Sequence, residues 1–138
     1  MERNIEGVKK ALIYPPALYD NYSTESAAVD GNDFDEAEFT LYVGDTDIDV
    51  DFKVQESDAS GSGFADITDA AITELGDSDD NKFVVINVNL VPGSRKRYLR
   101  GVLAVGDGTQ GAYACGVCEL RKAGAKPTTS GAAEVVKV

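Results

Sequence analysis

Apolar and polar residues alternate with a period of two through most of the middle of the chain, the signature of strands with one buried and one wet face. The clearest run is Ile48 to Gln55 (IDVDFKVQ), where four apolar residues interleave with four polar ones. Ala37 to Val43 (AEFTLYV) alternates in the same way, and the turn-rich Gly44-Asp45-Thr46-Asp47 between the two runs predicts a hairpin. Lys82 to Leu90 (KFVVINVNL) is β-branched, with Val84, Ile86, Val88 and Leu90 on one face. Two further strands are expected over Arg97 to Val105 and Ala112 to Leu120, joined by the glycine-rich hairpin loop Gly106 to Gly111. The single helical candidate is Ile67 to Leu75, capped by Thr68 or Asp69 and ended by Gly76. This pattern predicts a mainly β fold, an antiparallel β-sandwich, small barrel or jelly-roll-like domain with at most one short helix.

The ends depart from that pattern. Ala11-Leu12-Ile13-Tyr14 starts like a strand and stops at Pro15-Pro16, so residues 1–21 are read as an extended arm lying on the domain or on another subunit. Residues 22–123 then form the β domain, and 124–138 a tail rich in Ala, Gly, Thr and Ser. The tail either frays or, through Val135-Val136-Lys137-Val138, adds a strand to a neighbour's sheet edge.

Composition narrows the function. The 138 residues suit one domain, and no apolar run approaches the ~20 residues of a membrane helix. The start, MERNIEGVKK, lacks the apolar stretch of a secretory signal. There is no His, so the commonest general base and metal ligand at neutral pH is missing. With 24 acidic and 13 basic residues the net charge is −11. Residues 1–94 carry 21 acids and 5 bases (−16) and residues 95–138 carry 3 acids and 8 bases (+5), an asymmetry able to orient the molecule against a partner or another copy.

Candidate chemistry is sparse. Cys115 and Cys118 form a lone C-x-x-C with no second pair, too few ligands for a structural zinc site. On a strand they point to opposite faces, which suits neither a disulfide nor a shared ligand. Asp45, Asp47, Asp49 and Asp51 would form one column of carboxylates on a strand, read as a solvated face or as partial calcium ligands. Asp77 to Asn81 opens like an EF-hand loop, but Lys82 takes the glycine position and Val88 the glutamate position. No nucleophile-elbow, phosphate-loop or dinucleotide motif occurs, so neither an enzyme nor a cofactor or metal is expected. The basic run Ser94 to Arg100 holds Arg95, Lys96, Arg97, Tyr98 and Arg100. Its readings are a strand start whose basic stems cover apolar surface, a subunit or capsid contact, or a nucleic-acid surface, the last opposed by the overall charge.

Two elements carry a family resemblance. Val54-Gln55-Glu56-Ser57-Asp58 with Gly63-Phe64-Ala65-Asp66-Ile67 resembles the QESDDG…F.DV element of small tailed-bacteriophage head proteins, and Lys96 to Val102 their KRYVRA strand. Gly106 to Val117 is similar to their glycine-rich loop and last core strand, so the likeness spans roughly residues 28–121. These proteins are similar to capsid decoration, or cement, proteins. The resemblance implies a β-sandwich on the virion exterior, bound non-covalently to the major capsid protein and clustered at symmetry axes, often as trimers, without catalytic residues. The alternative is a carbohydrate- or calcium-binding module on a virion surface, using Tyr19, Tyr22, Tyr42 or Tyr113 for stacking and the Asp column for the ion, or another head-tail component.

Overall fold

A computed structural model describes residues 7–91, 95–122 and 132–138. In chain order its strands are β1 (Val8–Tyr19), β2 (Tyr22–Glu25), β3 (Val29–Asp30), β4 (Glu36–Thr46), β5 (Val50–Ser57), β6 (Ala65–Ala71), β7 (Lys82–Asn89), β8 (Tyr98–Val105), β9 (Ala112–Arg121) and β10 (Glu134–Lys137). No helix occurs among the described residues.

The strands form two sheets packed face to face. The first has the order β1-β9-β4-β7-β10 and the second β2-β8-β5-β6, with β3 pairing β8 beside β2. Four antiparallel pairs, β5 with β6, β4 with β7, β2 with β8 and β1 with β9, nest outward from the turn between β5 and β6. That is a jelly roll, a long two-stranded ribbon folded over so that its pairs alternate between sheets.

The alternation read from the sequence decides which side chains enter the space between the sheets. Phe39 and Leu41 of β4, Val84, Ile86 and Val88 of β7, and Cys118 and Leu120 of β9 face inward from the first sheet. Val50, Phe52 and Val54 of β5 and Leu99 and Leu103 of β8 meet them from the second. Each such large side chain contributes roughly 1.5–3 kcal/mol on removal from water. Gly101 of β8 makes room for the Phe52 ring of the neighbouring β5, from which an added Cβ would stand 2.8 Å, and Ile13 of the first sheet would lie 3.4 Å from the same atom.

Both predicted hairpins between chain neighbours are absent. β4 lies in the first sheet and β5 in the second, and β8 and β9 are divided in the same way. The turn residues are real, but they bend the chain over the edge of the sandwich. A strand whose inner face is apolar satisfies its hydrogen bonds equally well with a distant partner of matching pattern, and periodicity does not name the partner. The helix expected over 67–75 is also absent. β6 covers its first part, with Ile67, Ala70 and Ile72 buried, and Asp69 at φ 67° marks an irregularity opposite Lys53–Gln55. Strand pairing and core contact outweigh a weak local helix preference there.

Both termini join the sandwich. β1, within the expected arm, is an edge strand paired with β9, Val8 opposite Arg121, with one register shift at Ile13 and a second at Pro15-Pro16. Those prolines have no N–H to donate, so an edge strand tolerates them. β10 adds a parallel strand to β7 of its own chain, Glu134 opposite Val84. Residues 1–6 of the expected arm and 124–131 of the expected tail lie outside the described residues.

One side chain bolts the two sheets together. Tyr14 leaves β1 and reaches the β2–β8 ladder, where its hydroxyl accepts from Leu103 N at 3.1 Å and meets the carbonyls of Thr24 and Gly101. Burial holds its phenol well above the ordinary range, so it stays neutral. The Tyr19, Tyr22 and Phe52 rings stand edge-on to it at 6.3–6.5 Å. Tyr14→Phe keeps the ring and leaves a ladder amide unpaired. It is expected to cost about 1–3 kcal/mol in urea unfolding monitored by circular dichroism.

Candidate interaction surfaces

Four connections cross between the sheets at one end of the sandwich: residues 20–21, 47–49, 72–81 and 106–111. Aspartates tie them to one another. Asp47 accepts from Gln110 N at 2.8 Å and Gly111 N at 2.9 Å, Asp80 from Thr46 N at 2.9 Å, and Asp20 from Gly108 N at 2.8 Å. Those bonds hold the Asp47 carboxyl below its usual range, chiefly through the Gly111 amide. Gly111 has φ 104° and passes Tyr19 so closely that a Cβ would lie 2.3 Å from its carbonyl oxygen.

This geometry dissolves the carboxylate column expected at Asp45, Asp47, Asp49 and Asp51. The chain turns between β4 and β5, so Asp45 faces Gln110, Asp47 caps the 106–111 loop, and Asp49 and Asp51 lie on the second sheet's side. The EF-like stretch is spent similarly: Asp79 accepts from Gly76 N at 2.8 Å and pairs with Lys82 at 2.6 Å. Among the described residues no group of three or more His, Cys, Asp or Glu is placed to hold a metal ion.

The outward face of the second sheet is polar and acidic. Asp49, Asp51 and Glu74 line an open depression of about 320 Å³ with Asn21, Ser23 and Gly106. Glu74 hydrogen-bonds Asp51, and that contact, reinforced by the Asp51 and Asp49 charges, raises its carboxyl above the usual range. Beyond them Lys53 pairs with Asp66 at 3.1 Å.

The basic run closes the opposite end of the same sheet, and its cations are engaged within the chain. Arg97 makes a two-pronged contact with Asp30, at 2.9 and 2.8 Å, which lowers the Asp30 carboxyl to about 2. Arg100 donates to Gln55 at 2.8 Å and stacks over the Phe64 ring at 4.2 Å. Lys96 approaches Asp58 at 3.9 Å, and its amide donates to Glu56. Tyr98 and Arg100 point outward and Leu99 inward, as the alternation predicts, and the Arg97 guanidinium lies 5.1 Å from the Tyr98 ring. Arg95 is half-buried beside them, and Ser94 lies outside the described residues.

The two cysteines are free and face opposite sides of β9. Cys118 is in the core, where burial pushes its thiol up to about 12, and half-buried Cys115 is raised by burial alone. Of the four tyrosines considered for stacking, Tyr19 is buried and Tyr22 packs on it at 4.8 Å between ring centres. Tyr42 and Tyr113 are exposed, on the outward face of the first sheet.

That face was missed in the sequence. One row crosses all five strands as Leu12, Val117, Thr40, Val85 and Val135. The next row holds Cys115, Tyr42 and Phe83, with Tyr42 and Phe83 rings 5.6 Å apart, and Leu18 and Tyr113 pair beyond it. Leu12, Tyr42, Tyr113 and Leu18 are 60, 50, 48 and 45 % exposed. The usable signal was the filling of outward positions: Phe83, Val85, Tyr113 and Val117 stand where a wet face would carry polar residues. Farther along the same face Arg121 joins Glu36 at 2.7 Å, Glu38 at 2.9 Å and Glu119 at 2.8 Å, largely shielded from water.

The chain matches no protein-family model and no curated protein.

Two measurements check these surfaces. Because folding raises the Glu74 carboxyl, Glu74 favours the fold below its unfolded titration and opposes it once ionised at neutral pH. Glu74→Gln is expected to raise the melting temperature slightly at pH 7, and the gain should vanish below about pH 4, near the ordinary glutamate range. Arg121→Leu leaves three clustered carboxylates without their cation. Its expected cost is about 3 kcal/mol in chemical denaturation, the lower edge of the range for breaking a buried pair.

Proposed function

We propose that this chain is a structural protein of a tailed-bacteriophage head, decorating the capsid exterior through non-covalent contacts with the major capsid protein. The observation that carries this reading is the contrast between the two outward faces, one apolar with its charges paired, the other acidic. A protein built to be held in place by other proteins needs an adhesive face of the first kind. An acidic face of the second kind keeps the finished particle from adhering to nucleic acid or to other particles. The jelly roll gives both faces a stiff support, and the turn carboxylates are occupied in bracing it rather than grouped for chemistry. The resemblance of the 54–67 and 96–102 segments to phage head proteins points the same way, while the fold alone, shared by unrelated proteins, argues nothing about function.

In this reading the Arg95–Arg100 corner meets the shell or an adjacent subunit. Asp30 already neutralises Arg97 within the chain, so loss of the internal pair must be separated from loss of an external one. Arg97→Glu is expected to reduce occupancy on particles. The exchanged pair Asp30→Arg with Arg97→Glu restores the internal contact and should recover thermal stability without recovering occupancy. Recovery of both would show that Arg97 acts only inside the chain. The broader reading is tested on particles purified from cells infected by the phage that encodes the chain. The protein should be present at a fixed ratio to the major capsid protein, and heads lacking it should rupture at lower temperature; its absence from purified particles would contradict the proposal.

A further inference from the structure

The outward face of the first sheet is unlike the rest of the molecule in charge as well as polarity. Its strand positions carry three basic residues, Lys10, Arg121 and Lys137, and four acidic ones, Glu36, Glu38, Asp45 and Glu119, so they sum to −1 in a chain of net charge −11. Three of the acidic members are gathered around Arg121 and the fourth, Asp45, stands at the β4 bulge opposite Tyr113, while the rows running from Leu12 to Val135 and through Cys115, Tyr42 and Phe83 contain no charged residue. Like charge keeps two copies apart over most orientations of approach. On this face that repulsion is weakest, and the exposed leucine and tyrosine side chains gain most from leaving water.

The dimensions fit a copy of the same surface. Strand spacing of ~4.8 Å and ~6.8 Å between residues on one face make the apolar rows about 20 Å on a side. A rim one residue deep extends that to the ~800 Å² per partner of a standard interface. A flat sheet face with unbroken rows is also suited to meeting itself, since a two-fold axis applies the same patch on both sides. We propose that two copies of this chain associate through the outward faces of their first sheets, with Tyr42, Tyr113 and Val117 in the contact and Leu12 and Leu18 of the edge strand at its border. The inference goes beyond the capsid reading and stands whether or not the particle is a phage head. It also differs from the trimer that the family resemblance implies.

Cys115 lies within these rows and serves as a native reporter, because Cys118 is sealed in the core. The test is light scattering after size exclusion of the full chain, with the rate of maleimide labelling at Cys115 measured over a hundredfold range of protein concentration. A mass of two chains is expected, with labelling that slows at least several-fold as concentration rises. Tyr42→Arg and Leu12→Ser should each shift the mass toward one chain and remove the concentration dependence of labelling, while far-ultraviolet circular dichroism and the melting transition show the fold retained. A wild-type mass of one or three chains overturns the proposal. So does a dimer whose mass and labelling rate survive both substitutions, since that dimer uses another surface. Should Tyr42→Arg fail to fold, Leu12→Ser at the sheet edge carries the same decision. Measurement on the isolated chain keeps failure here distinct from failure to bind capsids.

Discussion

Four aspartate-braced crossings at one end of the sandwich hold the rest of the structure in place. A jelly roll is a ribbon that must change sheet repeatedly, and each change exposes backbone amides that no strand pairs. Asp20, Asp47, Asp79 and Asp80 supply acceptors for those amides at 2.8–2.9 Å. With the crossings fixed, β1 can lie against β9 and β2 against β8 despite their separation along the chain. Tyr14 then closes the sandwich from within by joining the first sheet to the ladder of the second.

This arrangement explains where the charge goes. Acidic side chains brace the crossings at one end, line the outward face of the second sheet, and pair with Lys53, Arg97 and Arg100 around it. The first sheet keeps a compact cluster about Arg121 and otherwise presents apolar residues. The sandwich is therefore two-sided: the outward face of the second sheet is polar and acidic, and that of the first is largely apolar.

Much of the fold was legible because burial in a sandwich imposes a period of two. Val50, Phe52 and Val54, or Val84, Ile86 and Val88, announce both their strands and their inward faces. Strand partners were not legible. Gly44 to Asp47 and Gly106 to Gly111 have the chemistry of hairpin turns, and only the distant strands decide whether the chain folds back or crosses over. The Ile67–Leu75 segment was misread because a strand with a left-handed residue at Asp69 spaces its buried side chains irregularly, as a short helix does. The acidic column failed for a related reason: alternation holds only while the strand continues, and the crossing ends it after Thr46. Arg97 and Arg100 stood out as part of a basic run, but which residues meet them was not legible, because Asp30, Glu25 and Gln55 come to them from other strands. The apolar outward face was present in the sequence as Phe83, Tyr113 and Val117, but without strand order nothing showed that they share one surface.

The most exposed claim is that copies of this protein meet one another through the outward face of the first sheet and not through the acidic face of the second. Hydroxyl-radical footprinting of the isolated chain at low and high concentration reads both faces in one experiment. The account predicts that Leu12, Leu18, Tyr42 and Tyr113 become protected as concentration rises, while Phe64 and Tyr98 on the other sheet keep their reactivity. Protection of Phe64 and Tyr98 with the first sheet unchanged, or no protection anywhere, would contradict it.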